Sequence, residues 1–207
     1  MAKSMGYANK SIKSYLDCLA GPRPVPGGGS ASALAGALGC GLLSMVAHFT
    51  LSNKGFNGYK ERAQKSLKKS ENLRAKFTLL IDKDAQAYES LALAFKKYAR
   101  DSADFQKAVK KAIVPAQKVC DYCYEAAIAA LELSYAGKKS ILSDIVSAIH
   151  DLDAAFETGL TNINSNTRFI KDKSFARSKI QAYSALQKDM KQIKSKILSV
   201  IMERMDA

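Results

Sequence analysis

The stretch PRPVPGGGSASALAGALGCGLLSMVAHF, Pro22 to Phe49, decides the fold. Three prolines and three glycines run directly into a long series of small and apolar residues. From Ser30 to Leu51 no side chain carries a formal charge, His48 being neutral. Such a segment, apolar on every side, reads as a central, fully buried helix. Ala33, Ala37 and Gly41 form one row of small residues along it, and Gly36, Cys40 and Ser44 form another. Glycine inside a helix costs about 1 kcal/mol against alanine, so close approach of neighbouring helices is the expected compensation. The segment is long enough to cross a membrane. Its Ala, Gly and Ser are only weakly apolar, however, and the chain offers no second span, so the reading is a core helix and no membrane.

Outward from this segment the signals are helical. Ile12, Tyr15, Leu16 and Leu19 mark a helix over Ser11–Leu19 that ends at Gly21 and the prolines. Asn53 to Gly58 reads as a turn. Tyr59 to Tyr98 reads as one very long helix or two joined ones, with the stripe Phe77, Leu80, Ile81, Asp84, Tyr88, Leu91, Phe95. Asp104 to Tyr135 is the next helix, with Pro115 starting or kinking it and Gly137 closing it. Ser140 or Ser143 caps a helix running through Phe156 towards Phe169. The last helix, Phe175 to Met205, carries Leu186, Met190, Ile193, Ile197 and Ile201 on one side. No strand pattern appears. The expected fold is all-α, an up-and-down bundle of about six or seven helices in one domain over residues 1–207. The apolar second helix needs more cover than one small bundle supplies, which points to a homodimer.

The chain has 32 Lys and Arg against 19 Asp and Glu, a net charge of +13. That field attracts anions. The lysines are spread over Lys54–Lys118 and Lys171–Lys196 without an arginine patch and interleaved aromatics, which speaks against nucleic acid. Met1–Lys13 has no apolar core of a secretory signal, so a cytoplasmic location with reduced thiols is expected. Cys120-Asp121-Tyr122-Cys123 is a lone CxxC in mid-helix. It reads as small buried filler rather than as a metal or redox site.

Two carboxylates occupy positions that a core helix disfavours. Asp84 lies within the apolar stripe of its helix, and Asp144 lies on the inward side between Ile141 and Ala148. Each is either paired, acting on a helix dipole, or raised in pKa for function. Asn162 and Asn166 stand one turn apart on a partly buried face. Gly27 to Gly29 leave backbone N–H groups bare ahead of Ser30, a good helix N-cap. A helix start of that kind binds carboxylates, phosphates or polar ring edges.

PVPGGGSASALAGALGCGLLSMVAHFT resembles a signature of the formiminotetrahydrofolate cyclodeaminase and methenyltetrahydrofolate cyclohydrolase family. Four further blocks resemble that family in order and spacing: LIDKDAQAYESL (Leu80–Leu91), AIVPAQKVCDYCYEAA, LSD (Leu142–Asp144) and NINSNTRFIKD (Asn162–Asp172). Together they span Ser11 to Asp172. One departure follows Asp144, where the family has small residues and this chain has Ile145 and Val146, then His150 and Asp151. The resemblance implies an all-helical dimer acting on tetrahydrofolates without a metal or other cofactor. It implies Asp144 or Asp84 as the acid/base, with Asn162 and Asn166 orienting the pterin or the one-carbon unit. Gly27, Gly28, Gly29 and Ser30 would cradle the folate, and Arg23 with nearby lysines would meet its glutamate tail, a polyanion when extended. A chain without the transferase that often accompanies the deaminase fits the cyclohydrolase. The cyclodeaminase is the alternative, and a folate-binding bundle that has lost its chemistry is the second.

Overall fold

The computed structural model describes residues 6–52 and 59–206; the expected turn at 53–58 lies outside them. Six helices follow in order: α1 Ile12–Ala20, α2 Gly28–Leu51, α3 Lys60–Lys97, α4 Ala103–Ala136, α5 Leu142–Thr167 and α6 Lys173–Asp206. Short 3-10 turns cover Tyr7–Asn9 and Lys139–Ile141. Among the described residues there is no strand, as the periodicity predicts.

Local chemistry sets the boundaries. Ser11 caps α1 by accepting the Ser14 N–H at 3.2 Å, and Ser102 caps α4 by accepting the Phe105 N–H at 3.2 Å. The sequence 60–97 contains neither Gly nor Pro, and α3 is a single unbroken helix of 38 residues. Pro115 lies buried inside α4 rather than at its start. The predicted serine cap of α5 is absent. Its N-cap is Ile141, which follows the 3-10 turn and makes no side-chain cap bond.

α2 lies between α3 and α5 with α4 behind it. Its glycines do what the small-residue rows predict. A Cβ on Gly36 would stand 2.5 to 2.7 Å from three atoms of the Phe77 ring. One on Gly39 would stand 3.0 Å from the Ala148 carbonyl and from Leu152. Backbone and ring meet there directly, which offsets the low helix propensity of glycine. The expectation of burial on all sides needs correction. Three sides of α2 are covered, but the side away from α4 is open, with Leu38 57% and Phe49 52% exposed. Seen alone, α2 has the length and apolarity of a membrane span, yet it packs against three other helices.

α6 closes the opposite side of the bundle, burying Met190, Ile197 and Ile201. Polar contacts fix it at intervals. Tyr183 Oη donates to Asp121 at 3.0 Å, and Lys194 pairs with Asp153 at 2.5 Å. Arg204 donates to the Ser134 and Gly137 carbonyls at 2.5 and 2.7 Å, capping the end of α4. Cys40, Cys120 and Cys123 are buried thiols, as their reading as filler anticipates.

Candidate functional site

The site arises because α2 begins late. Its first turn stands beside Thr158, so α3 and α5 continue past it towards the end of the bundle. The space left open between them is a cleft of about 300 Å³. Gly27, Gly28 and Gly29 form one end of it, at the N-terminus of α2, with Pro24 and Val25 at its rim. Asp84, Tyr88 and Leu91 come from α3, and Asn162, Ser165 and Asn166 from α5. Ala112 and Ala116 of α4 supply a small apolar floor. The positive end of the α2 dipole and its unpaired N–H groups therefore point into a cavity.

Asp84 reaches across to this helix start and accepts the backbone N–H of Ser30. Burial holds its carboxyl above the ordinary carboxylate range, with the Ser30 N–H opposing that shift. Gly29 makes the approach possible. A Cβ there would stand 2.6 Å or less from all three atoms of the Asp84 carboxyl. This is the physical reason for a glycine at that position, since backbone and acid share the space a side chain would fill.

Ser30 is not the N-cap. Gly27 is, without a side-chain bond, and Ser30 lies in the first turn, fully buried. Its hydroxyl pairs with Tyr15 Oη at 3.1 Å, tying α1 to the start of α2. Burial raises the Tyr15 pKa, so the phenol stays protonated there. Asp82, two residues from Asp84, has a separate task. It accepts the Tyr7 N–H at 2.5 Å, while Tyr7 Oη donates to the Val25 carbonyl at 3.3 Å. The N-terminal 3-10 turn is thereby strapped over the proline loop that forms the cleft rim.

Of the residues singled out in the sequence, the cleft brings together Gly27, Gly28, Gly29, Asp84, Asn162 and Asn166. Arg23 falls outside it, in a neighbouring cleft of about 310 Å³ with Lys10, Asp82, Gln86 and Glu89. Asp144 falls outside as well. It is half-buried in the first turn of α5, about 27 Å along the helix axis from Asn162. Within one protomer the two acids do not meet. The sequence reading missed Tyr15, Tyr88 and Ser165. The two tyrosines passed for ordinary members of apolar stripes, whereas Ser165 could have been found, since Asn162, Ser165 and Asn166 recur at helical spacing.

A desolvated acid, a helix start and two amides around one cavity suit a planar, polar heterocycle undergoing proton transfer. The sequence profile of the formiminotransferase-cyclodeaminase family matches residues 11–197. The chain belongs to this family. It is similar to a methenyltetrahydrofolate cyclohydrolase of Methylorubrum extorquens, at 27% identity over 96% of this chain and 99% of that protein. It is 24% identical to the formimidoyltransferase-cyclodeaminase of Mus musculus over 87% of its length, but spans only 35% of that longer protein. The crystal structure of formiminotetrahydrofolate cyclodeaminase from Thermotoga maritima superposes with a TM-score of 0.89 at 25% identity, covering 94% of this chain and 97% of that one. The family match supports the resemblance read in the glycine corner, and the structural match supports the all-helical bundle.

Proposed function

We propose that this protein is a folate one-carbon enzyme, a 5,10-methenyltetrahydrofolate cyclohydrolase. The observation that carries the reading is the Asp84 carboxyl, desolvated and held on the α2 helix start, inside a cleft faced by Asn162 and Asn166. The near full-length similarity to a cyclohydrolase supports this branch.

The reaction adds water to the methenyl carbon between N5 and N10. One water proton leaves as the C–O bond forms, giving a tetrahedral centre. The carbon–N5 bond then breaks, N5 takes up a proton, and the hydroxyl proton departs as the carbonyl of 10-formyltetrahydrofolate forms. One proton is released overall. A carboxyl whose pKa is raised by burial suits both halves, accepting from water and returning to N5. Asn162 and Asn166 offer amide donors and acceptors to the pterin edge or the one-carbon unit. Gly27 to Gly29 present N–H groups that a side chain would otherwise screen. Arg23 and Lys10, which line the adjoining cleft, would meet the anionic glutamate tail. No cofactor besides the folate is called for, and the enzyme works in the cytoplasm as a homodimer, which the open face of α2 supports.

The test is spectroscopic. Purified protein should bleach the near-ultraviolet band of methenyltetrahydrofolate faster than buffer does, and Asp84→Asn should slow it about a hundredfold or more. The similarity to the Thermotoga cyclodeaminase favours a second reading, closure of 5-formiminotetrahydrofolate with release of ammonia. In that case the same band appears when formiminofolate is supplied. No change with either substrate, together with a melting temperature raised by folate, would leave a binding protein without chemistry.

A further inference from the structure

Two acids leave α3 two residues apart, and the reaction uses only one of them. Successive residues turn by about 100° around a helix, so Asp82 and Asp84 point to different sides. Both close on a glycine. Asp84 covers Gly29 in the cleft, and Asp82 covers Gly6 at the N-terminal 3-10 turn. A Cβ on Gly6 would stand 3.1 Å or less from all three atoms of the Asp82 carboxyl. The Gly6 backbone, at φ −57° and ψ 156°, is one that alanine adopts freely. What excludes a side chain there is the carboxylate.

The close approach secures Tyr7. Asp82 Oδ1 accepts the Tyr7 N–H at 2.5 Å, and Tyr7 Oη donates to the Val25 carbonyl at 3.3 Å. The two bonds run in series from α3 to the loop that rims the cleft. That loop is hard to hold by other means. Pro22, Pro24 and Pro26 have no N–H to offer. The Arg23 N–H turns back on the Gly21 carbonyl at 2.8 Å. Among the described residues, the Tyr7 hydroxyl is the group whose hydrogen bond ties residues 22–26 to another element. A loop so poor in donors is anchored through its carbonyls, and a phenol on a rigid side chain supplies the donor.

The loop is also a wall between two clefts. Pro24 and Val25 face the folate cleft, while Arg23 faces the adjoining one together with Tyr7 and Asp82. Gly27, two residues after Val25, caps α2 and forms the end of the folate cleft. Holding Val25 therefore holds the rim. Asp84 is anchored independently of it, on the Ser30 N–H inside the first turn of α2.

We infer that Asp82 is a positioning residue of the cleft: it holds Tyr7 on the Val25 carbonyl, and the rim fixed in this way sets how tightly substrate binds, while the chemical step stays with Asp84. The substrate in this statement rests on the enzyme reading; the strap does not.

Asp82→Ala should raise KM for methenyltetrahydrofolate about tenfold, the low end for a lost bond to a charged group, with kcat within about twofold of native. Tyr7→Phe should raise KM about fivefold. The double variant should be no worse than Asp82→Ala, since the two bonds act in series. Asp82→Asn keeps an amide oxygen that accepts the Tyr7 N–H and should retain the native KM. Gly6→Ala leaves Asp82 in the chain but displaces its carboxylate, and should reproduce the Asp82→Ala constants. A native KM in Asp82→Ala, a loss confined to kcat, or a KM in Asp82→Asn as high as in Asp82→Ala overturns the positioning role.

The strap is read separately, without turnover. Cys18 lines the adjoining cleft with Tyr7 and Asp82 and is part-exposed, whereas Cys40, Cys120 and Cys123 are buried. Ellman's reagent should modify Cys18 in the native fold, and should do so about fivefold faster in Asp82→Ala and Tyr7→Phe, at unchanged helix content. Equal rates in the native chain and Asp82→Ala overturn the strap, whatever the kinetics show. Faster labelling of Asp82→Ala, in a protein whose native form is inactive on both folates, would instead defeat the enzyme reading and leave the strap standing.

Discussion

Replacing Gly29 by alanine tests the site at its tightest point. The added Cβ would stand 2.6 Å or less from the three carboxyl atoms of Asp84. Real Cβ atoms do not approach that closely, so something must move. The backbone of α2 is held by Gly36 on Phe77 and by Gly39 on Ala148, whereas the carboxyl is the free end of a short side chain. The acid therefore swings away and loses the Ser30 N–H. A hydrogen bond to a charged group is worth about 1.5–3 kcal/mol, and the Gly→Ala change returns up to about 1 kcal/mol in helix propensity. Net stability should shift by no more than about 2 kcal/mol, with helix content preserved. Activity should respond very differently. Displacing a proton-transferring group by about 1 Å costs about a hundredfold in rate, so kcat/KM should fall by that much or more. Gly28→Ala serves as the control for the melts alone, because its Cβ would meet only Thr158 at an ordinary 3.8 Å and would leave Asp84 in place. The assays are thermal melts by circular dichroism and methenyltetrahydrofolate bleaching on the same preparations. Native kcat/KM in Gly29→Ala would refute the placement of Asp84 as the working acid.

Three further outcomes follow from the same packing. Burial lifts the Asp84 pKa above its value in the unfolded chain, so folding stability should be greatest below the unfolded pKa and fall as pH rises through the folded one; Asp84→Asn should flatten that slope in pH-dependent denaturant titrations. Gly36→Ala pushes against the fully buried Phe77 ring and should destabilise by about 1–3 kcal/mol, less the helix-propensity gain, read as a lower urea midpoint. Arg204→Met frees the Ser134 and Gly137 carbonyls at the end of α4 and should cost about 1–3 kcal/mol, with hydrogen exchange rising first in the last turn of α6.

Local rules made the helices legible. Apolar spacing, serine caps and the Gly137 stop act within a few residues, so α1, α3, α4 and α6 could be read with little error. The glycine corner was equally plain, since an uncharged small-residue run after three prolines has few other structural uses. Tertiary structure decided the partnerships. That Asp84 rather than Asp144 occupies the cleft depends on where α2 starts relative to α3 and α5, a registry set by Phe77 on Gly36 and Leu152 against Gly39. Tyr15 looked like one more apolar residue of a short helix until packing brought its hydroxyl to Ser30. That α2 needs more cover than one bundle supplies was legible, but which of its faces stays open was not. Hydropathy records that a surface prefers to be buried, but only the arrangement of the other helices determines which part of it a single chain can cover.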